Sequence, residues 1–198
     1  MTAVRFELRR GGSDQFGPRS GLVALMMRKI VWLLTVLLAV PAVASAQGPG
    51  REACSIDVDI TDRDPNGANV RASPGGSVIT ALKNPTSEGW IVVHLTAQQD
   101  DWFEIDRAVL IDVEQDKERV IFQGRGFVHR SVVGASGLQN GAVIYRDHAT
   151  TSATLDSHAS GDQAVELLGC FGAFAKVRVK KGIGWTRQLC TNMVTTCS

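Results

Sequence analysis

Beyond residue 50 the chain alternates apolar and polar positions in short runs, separated by turn-forming residues. Cys54-Ser55-Ile56-Asp57-Val58-Asp59-Ile60 has the two-residue period of a half-buried strand. Residues 69–72 and 77–82 predict extended segments around a turn at Pro74-Gly75-Gly76, and Gly89-Trp90-Ile91-Val92-Val93-His94-Leu95 is strongly β-prone. Asp100-Asp101 turns the chain into a strand at 102–105. Further on, residues 143–146, 165–168 and 174–180 predict strands, Cys170-Phe171-Gly172 a turn, and 150–161 a loop of small residues. No stretch past residue 50 holds apolar residues at helical spacing for three turns. Many short strands with regular turns indicate an all-β protein of small barrels or a sandwich.

The pattern repeats. Gly182-Ile183-Gly184-Trp185-Thr186-Arg187 echoes Gly124-Arg125-Gly126-Phe127-Val128-His129. Each copy follows a strand carrying an aromatic and a β-branched residue three apart, Trp102 with Ile105 and Phe174 with Val177. The first unit is longer between strand and echo. Its insertion, 107–123, has two apolar arms, Val109-Leu110-Ile111 and Val120-Ile121-Phe122, around the charged tip Glu114-Gln115-Asp116-Lys117-Glu118, and predicts a projecting hairpin. The Gly/Ser-rich stretch after Val132 marks the boundary. The expected organisation is a first unit at 54–133, a linker at 134–141 and a second unit at 142–198.

The N-terminal part follows a different logic. Arg28-Lys29, an apolar run from Ile30 to Val40, and Pro41-Ala42-Val43-Ala44-Ser45-Ala46 describe a cleavable signal peptide over about 27–46. The run is shorter than the roughly 20 residues of a spanning helix. Residues 1–26 are polar and Gly-rich, and Met26-Met27 is the expected translation start. The expected location is therefore the periplasm or the medium, with no stable membrane anchor after cleavage.

Charge and cysteines narrow the partners. The whole chain nets +1, but removing 1–46 takes away six basic and two acidic residues, leaving 15 basic against 18 acidic. Nucleic-acid binding wants a basic excess and is not expected. Residues 55–133 carry eight basic and thirteen acidic residues, whereas residues from Gly134 onward carry six basic and four acidic. Lys176, Arg178 and Lys180 alternate along one strand and share a face. Cys54, Cys170, Cys190 and Cys197 all follow the cleavage point, and an even count in an exported protein implies disulfides. Cys170–Cys190 with Cys54–Cys197 is the preferred pairing, and the local pair Cys190–Cys197 is its rival. Asp62-Arg63-Asp64-Pro65-Asn66-Gly67 imitates the start of a calcium loop, but Ser73 stands where the bidentate Glu belongs, so a turn is expected.

Asn69-Val70-Arg71 with Pro74-Gly75, the apolar run before Trp102, and Gly126-Phe127-Val128 resemble the bacterial SH3 (SH3b) domain family. In the second unit Tyr145-Arg146, Phe174 with Val177, and Gly184-Trp185 carry the same resemblance. It covers roughly 56–133 and 139–190. The second unit lacks the Pro-Gly after its arginine and has a longer polar loop there. The resemblance implies two SH3-like open barrels in tandem behind a signal helix. It also implies a non-enzymatic module that binds cell-wall peptide or glycan, or acts as an assembly adaptor for an envelope protein.

The aromatic residues Trp102, Phe127, Phe174 and Trp185 occupy matching points of the two units and suit a groove for an extended peptide or glycan. Arg71, Tyr145, His129 and Arg187 complete the expected ligand-binding set, with His129 standing at the position of Arg187. His94, His129, His148 and His158 form no zinc-type or H-E-x-x-H spacing, and no phosphate loop or nucleophile elbow appears. No catalytic residue, metal or cofactor is expected.

Overall fold

The computed structural model describes residues 50–83, 89–113, 115–159 and 165–191. The expected signal segment, the stretch before it, and Cys197 with its flanking tail lie outside the described residues. Six strands come first: β1 (Arg51–Ile60), β2 (Ala68–Arg71), β3 (Val78–Leu82), β4 (Gly89–Gln99), β5 (Trp102–Asp112) and β6 (Lys117–His129). A 3₁₀ turn at Arg130–Val132 leads to β7 (Val133–Gly134) and β8 (Gly137–Leu138). Then come β9 (Ala142–Tyr145), β10 (Thr154–Ala159), β11 (Glu166–Phe171), β12 (Phe174–Val179), β13 (Gly182–Thr186) and β14 (Leu189–Cys190). The all-β class is observed, with strands curled into a half-barrel.

The strands form a seven-stranded sheet, β3-β2-β6-β5-β4-β1-β7, a five-stranded sheet, β10-β9-β13-β12-β11, and the small pair β14-β8. Five consecutive strands of the first sheet have the same order as the five of the second. The correspondence extends to register. Phe127 pairs with Arg71 and Trp185 pairs with Tyr145. Glu104 lies opposite Phe127, as Lys176 lies opposite Trp185.

The echoed glycines have a physical reason. Gly124 and Gly182 take φ of +125° and +131°, open to glycine but costly for an L side chain. A Cβ on Gly126 would sit 2.4 Å from Val70 Cγ1, and one on Gly184 would sit 2.5 Å from Ile144 Cγ2. Both motifs therefore let β6 and β13 press against β2 and β9.

Three expectations about strands and disulfides need correction. Residues 150–161 are not simply a loop, because β10 forms there. Its small and polar residues hid it: it is an edge strand, irregularly paired to β9 alone, and needs few apolar contacts. Cys170 and Phe171 belong to β11, and the turn falls at Gly172-Ala173, where Gly172 has φ +53°. The preferred disulfide pairing is overturned, since Cys54 bonds to Cys170. With Cys54 and Cys170 bonded to each other, neither Cys170–Cys190 nor Cys54–Cys197 forms. The physical reason is that β1 runs beside β11: Ser55 N donates to Gly172 O (2.7 Å) and Gly172 N to Ala53 O (2.9 Å).

The stretch expected as a linker is built into the fold. Val133, Ala135 and Leu138 are buried; β7 pairs with β1, Ala135 bridges Val165, and β8 pairs with β14. Val58, Leu95, Ile105, Ile144, Leu167 and Val177 join one continuous core drawn from both sheets. The described residues accordingly cluster as one compact unit.

Candidate functional site

The outer face of the five-stranded sheet gathers rings. Inward residues Ala175, Val177, Gly184 and Thr186 are buried, which turns Phe174, Lys176 and Trp185 outward by strand alternation. Tyr145 and Phe174 meet edge to face at 6.3 Å between centroids. His148, on the loop after β9, lies 4.0 Å from the Phe171 ring and 5.3 Å from the Trp185 ring. Two cations cap the rings, Lys176 Nζ 5.5 Å from the Trp185 centroid and Arg187 Cζ 5.8 Å from that of Phe174. Phe171 is 40% exposed. Tyr145, Phe174 and Trp185 are half-buried and Arg187 is exposed, so the face is accessible.

Four of the eight expected binding residues (Tyr145, Phe174, Trp185 and Arg187) are thus brought together. Three neighbours escaped the sequence reading: His148, Phe171 and Lys176. Lys176 was recognised only as part of a basic stripe, and Arg178 in that stripe is engaged by Glu166 at 2.7 Å. Phe171 lay in an expected turn. His148 comes from a loop whose path only the tertiary fold decides.

The other four gather on the first sheet in a different way. Trp102 packs edge to face on His129, with centroids 5.1 Å apart, and Arg71 Cζ lies 5.9 Å from the Trp102 centroid. Phe127 is buried at 3% exposure under Arg125, whose Cζ is 5.2 Å from the ring. Two of these residues have structural duties. Arg71 Nη1 donates to Gly76 O (2.7 Å), closing the β2–β3 turn. His129 Nδ1 accepts from Ser131 N, capping the 3₁₀ turn.

Beside this cluster, Glu104 is nearly buried and accepts from Arg51 Nε (3.2 Å), Arg51 Nη2 (3.1 Å) and Arg125 Nη2 (3.0 Å). Burial alone would raise its carboxyl. The hydrogen bonds and charges of the two arginines outweigh that and hold it below the ordinary value of 4.5. Asp59 is the opposite case. Desolvation pushes it from 3.8 up to about 6, against the hydrogen bonds from Ser136. Ser136 N donates to Oδ2 at 2.8 Å, while Oδ1 has no partner. Asp59 therefore ties the segment after β7 to β1 at an electrostatic cost.

At the calcium-like turn, Asp64 N donates to Asp62 Oδ1 and Asn66 N to Asp64 Oδ1, so these carboxylates serve backbone turns. Among the described residues, no group of three or more His, Cys, Asp or Glu side chains is placed to hold a metal ion.

Compared with protein-family models, with curated proteins and with solved structures, the chain matches none.

Proposed function

We propose that this chain is an exported binding protein of two related SH3-like barrels, whose ligand is cell-wall peptide or glycan. The observation that carries the reading is the outer face of the second sheet: Tyr145, Phe171, Phe174 and Trp185 side by side, with Lys176 and Arg187 over the rings. Flat rings suit the apolar faces of sugars or an extended peptide, and the two cations suit the carboxylates such ligands carry. The shared strand order of the two sheets supports the tandem reading. The Cys54–Cys170 bridge accords with an oxidising compartment.

The direct test is co-sedimentation with purified sacculi. The native protein is expected in the pellet, and Trp185→Ala substantially in the supernatant. Full recovery of the native protein in the supernatant would defeat the wall reading.

An adaptor role has its own support in β3, an edge strand whose Val78 and Ile79 are 48% and 51% exposed. An open apolar edge is a template for pairing with another chain. Crosslinking in cells from a photoreactive group at position 79 is expected to capture an envelope protein under this reading. Capture of the chain by itself alone would count against it.

A further inference from the structure

A second constellation lies on three neighbouring strands of the seven-stranded sheet. Ser55 on β1, His94 on β4 and Asp106 on β5 are adjacent in the order β5-β4-β1. His94 Nδ1 lies 2.8 Å from Asp106 Oδ1, and His94 Nε2 lies 3.1 Å from Ser55 Oγ. A carboxylate only accepts, so Nδ1 carries the proton, and Nε2 presents its lone pair to the serine hydroxyl. This is the order of a nucleophile, a base and an orienting carboxylate.

The serine is held where it can react. The β1–β4 register slips between Ala53 and Ile56, so Cys54 and Ser55 occupy an irregularity. The Cys54–Cys170 bond and the Ser55 N to Gly172 O hydrogen bond clamp both residues against β11. Ser55 and His94 then line a cleft of about 340 Å³, which Ala173, Thr186 and Arg187 close from the other side. Arg187 is the only arginine or lysine among the described lining residues. That volume fits a small acyl group, and the guanidinium offers positive charge to a developing oxyanion.

We infer that Ser55, His94 and Asp106 form a hydrolytic site for small O-acyl esters. Ser55 Oγ bonds to the ester carbonyl carbon while its proton passes to His94 Nε2, and the carbonyl oxygen takes the negative charge. On collapse the ester C–O bond breaks, and the alcohol leaves with the proton from Nε2. Water then attacks the acyl-serine and gives its proton to Nε2. The carboxylic acid departs, and the proton returns to Ser55. Asp106 is a positioning residue, since it touches His94 and not the reacting atoms. This goes beyond the wall-binding proposal and stands on different residues, apart from Arg187, which borders both.

The experiment uses the purified oxidised protein with p-nitrophenyl acetate and a fluorophosphonate probe. The native chain should turn over the ester and take the phosphonate on Ser55, located by peptide mass mapping. Ser55→Ala should lose both, and His94→Ala should slow labelling at least about 100-fold. Imidazole alone cleaves activated esters, so ester turnover that survives Ser55→Ala would overturn the inference. So would a native chain that neither labels nor turns over, or a label mapped elsewhere.

Asp106→Asn keeps an acceptor for Nδ1 but removes the charge. It should lower kcat for the ester with KM little changed, which a merely structural residue would not do. The other charged groups facing His94 are Asp57 opposite it on β1, Arg107 beside it on β5 and Arg187 across the cleft. They are unchanged in that variant. Sedimentation with sacculi reports separately on the wall proposal.

Discussion

The two sheets place different chemistry at equivalent positions. Glu104 on β5 and Lys176 on β12 lie opposite Phe127 and Trp185 in the same register. On the first sheet the ring is buried, and Arg51 and Arg125 are spent on Glu104. On the second the ring is half-exposed, with Lys176 lying over it. The same strand arrangement thus holds the molecule together in one copy and offers a surface in the other. Binding is expected where rings and cations remain accessible, which is a property of burial and not of residue type.

The largest effect should come from the bond that joins the two regions. Cys54–Cys170 spans 116 residues, and chain entropy gives such a bridge about 4–5 kcal/mol. Replacing both cysteines with alanine should lower the thermal midpoint by that equivalent. It should leave a single unfolding transition, because the core is continuous. Two separated transitions would mean the sheets are thermodynamically independent.

Next come the equivalent rings. Phe127→Ala should cost about 3–4 kcal/mol as a buried aromatic truncation, whereas Trp185→Ala should cost about 1 kcal/mol. Chemical denaturation of the two variants measures the contrast. Equal losses would erase the distinction between a packing ring and a surface ring.

The charged pair separates in the same way. Glu104→Gln should cost about 3 kcal/mol, since it leaves two arginines without their nearly buried counter-charge, and Lys176→Gln less than about 1 kcal/mol. The depressed carboxyl fixes the sign with pH. The contribution of Glu104 is fully present above its ordinary value of 4.5 and is lost as pH falls through its lower folded value. Acid titration of stability should therefore be shallower in the Gln variant.

Asp59 gives an effect of the reverse sign. Its folded value of about 6 lies above the ordinary 3.8. The native state is thus unpenalised below 3.8 and loses stability as pH rises through about 6. Asp59→Asn should gain about 3 kcal/mol well above pH 6 and almost nothing at pH 3.5. Denaturation midpoints at the two pH values decide this, and a loss at high pH would show that the charge itself holds Ser136.

Much of the strand framework was legible because its cause is local. Alternation placed β1, turn chemistry placed β2 and β3, β-propensity placed β4, and the Gly-x-Gly-aromatic echo marked the two sites where one strand crowds another. What the chain hid was either weakly apolar, as in β10, or set by distant partners. Ser136 reads as linker, yet its amide meets Asp59, 77 residues away. His94 reads as one scattered histidine, yet Ser55 and Asp106 flank it across two strand pairings.

By itself the sequence determined the all-β class, the doubled motif and the residues able to stack or carry charge, because period, turn chemistry and side-chain type act over a few residues. Tertiary structure alone decided that Phe127 is buried while Trp185 is accessible, that Cys54 meets Cys170, and that Ser55, His94 and Asp106 converge. Each of those depends on which strands become neighbours, a choice made by burying one common core from both sheets.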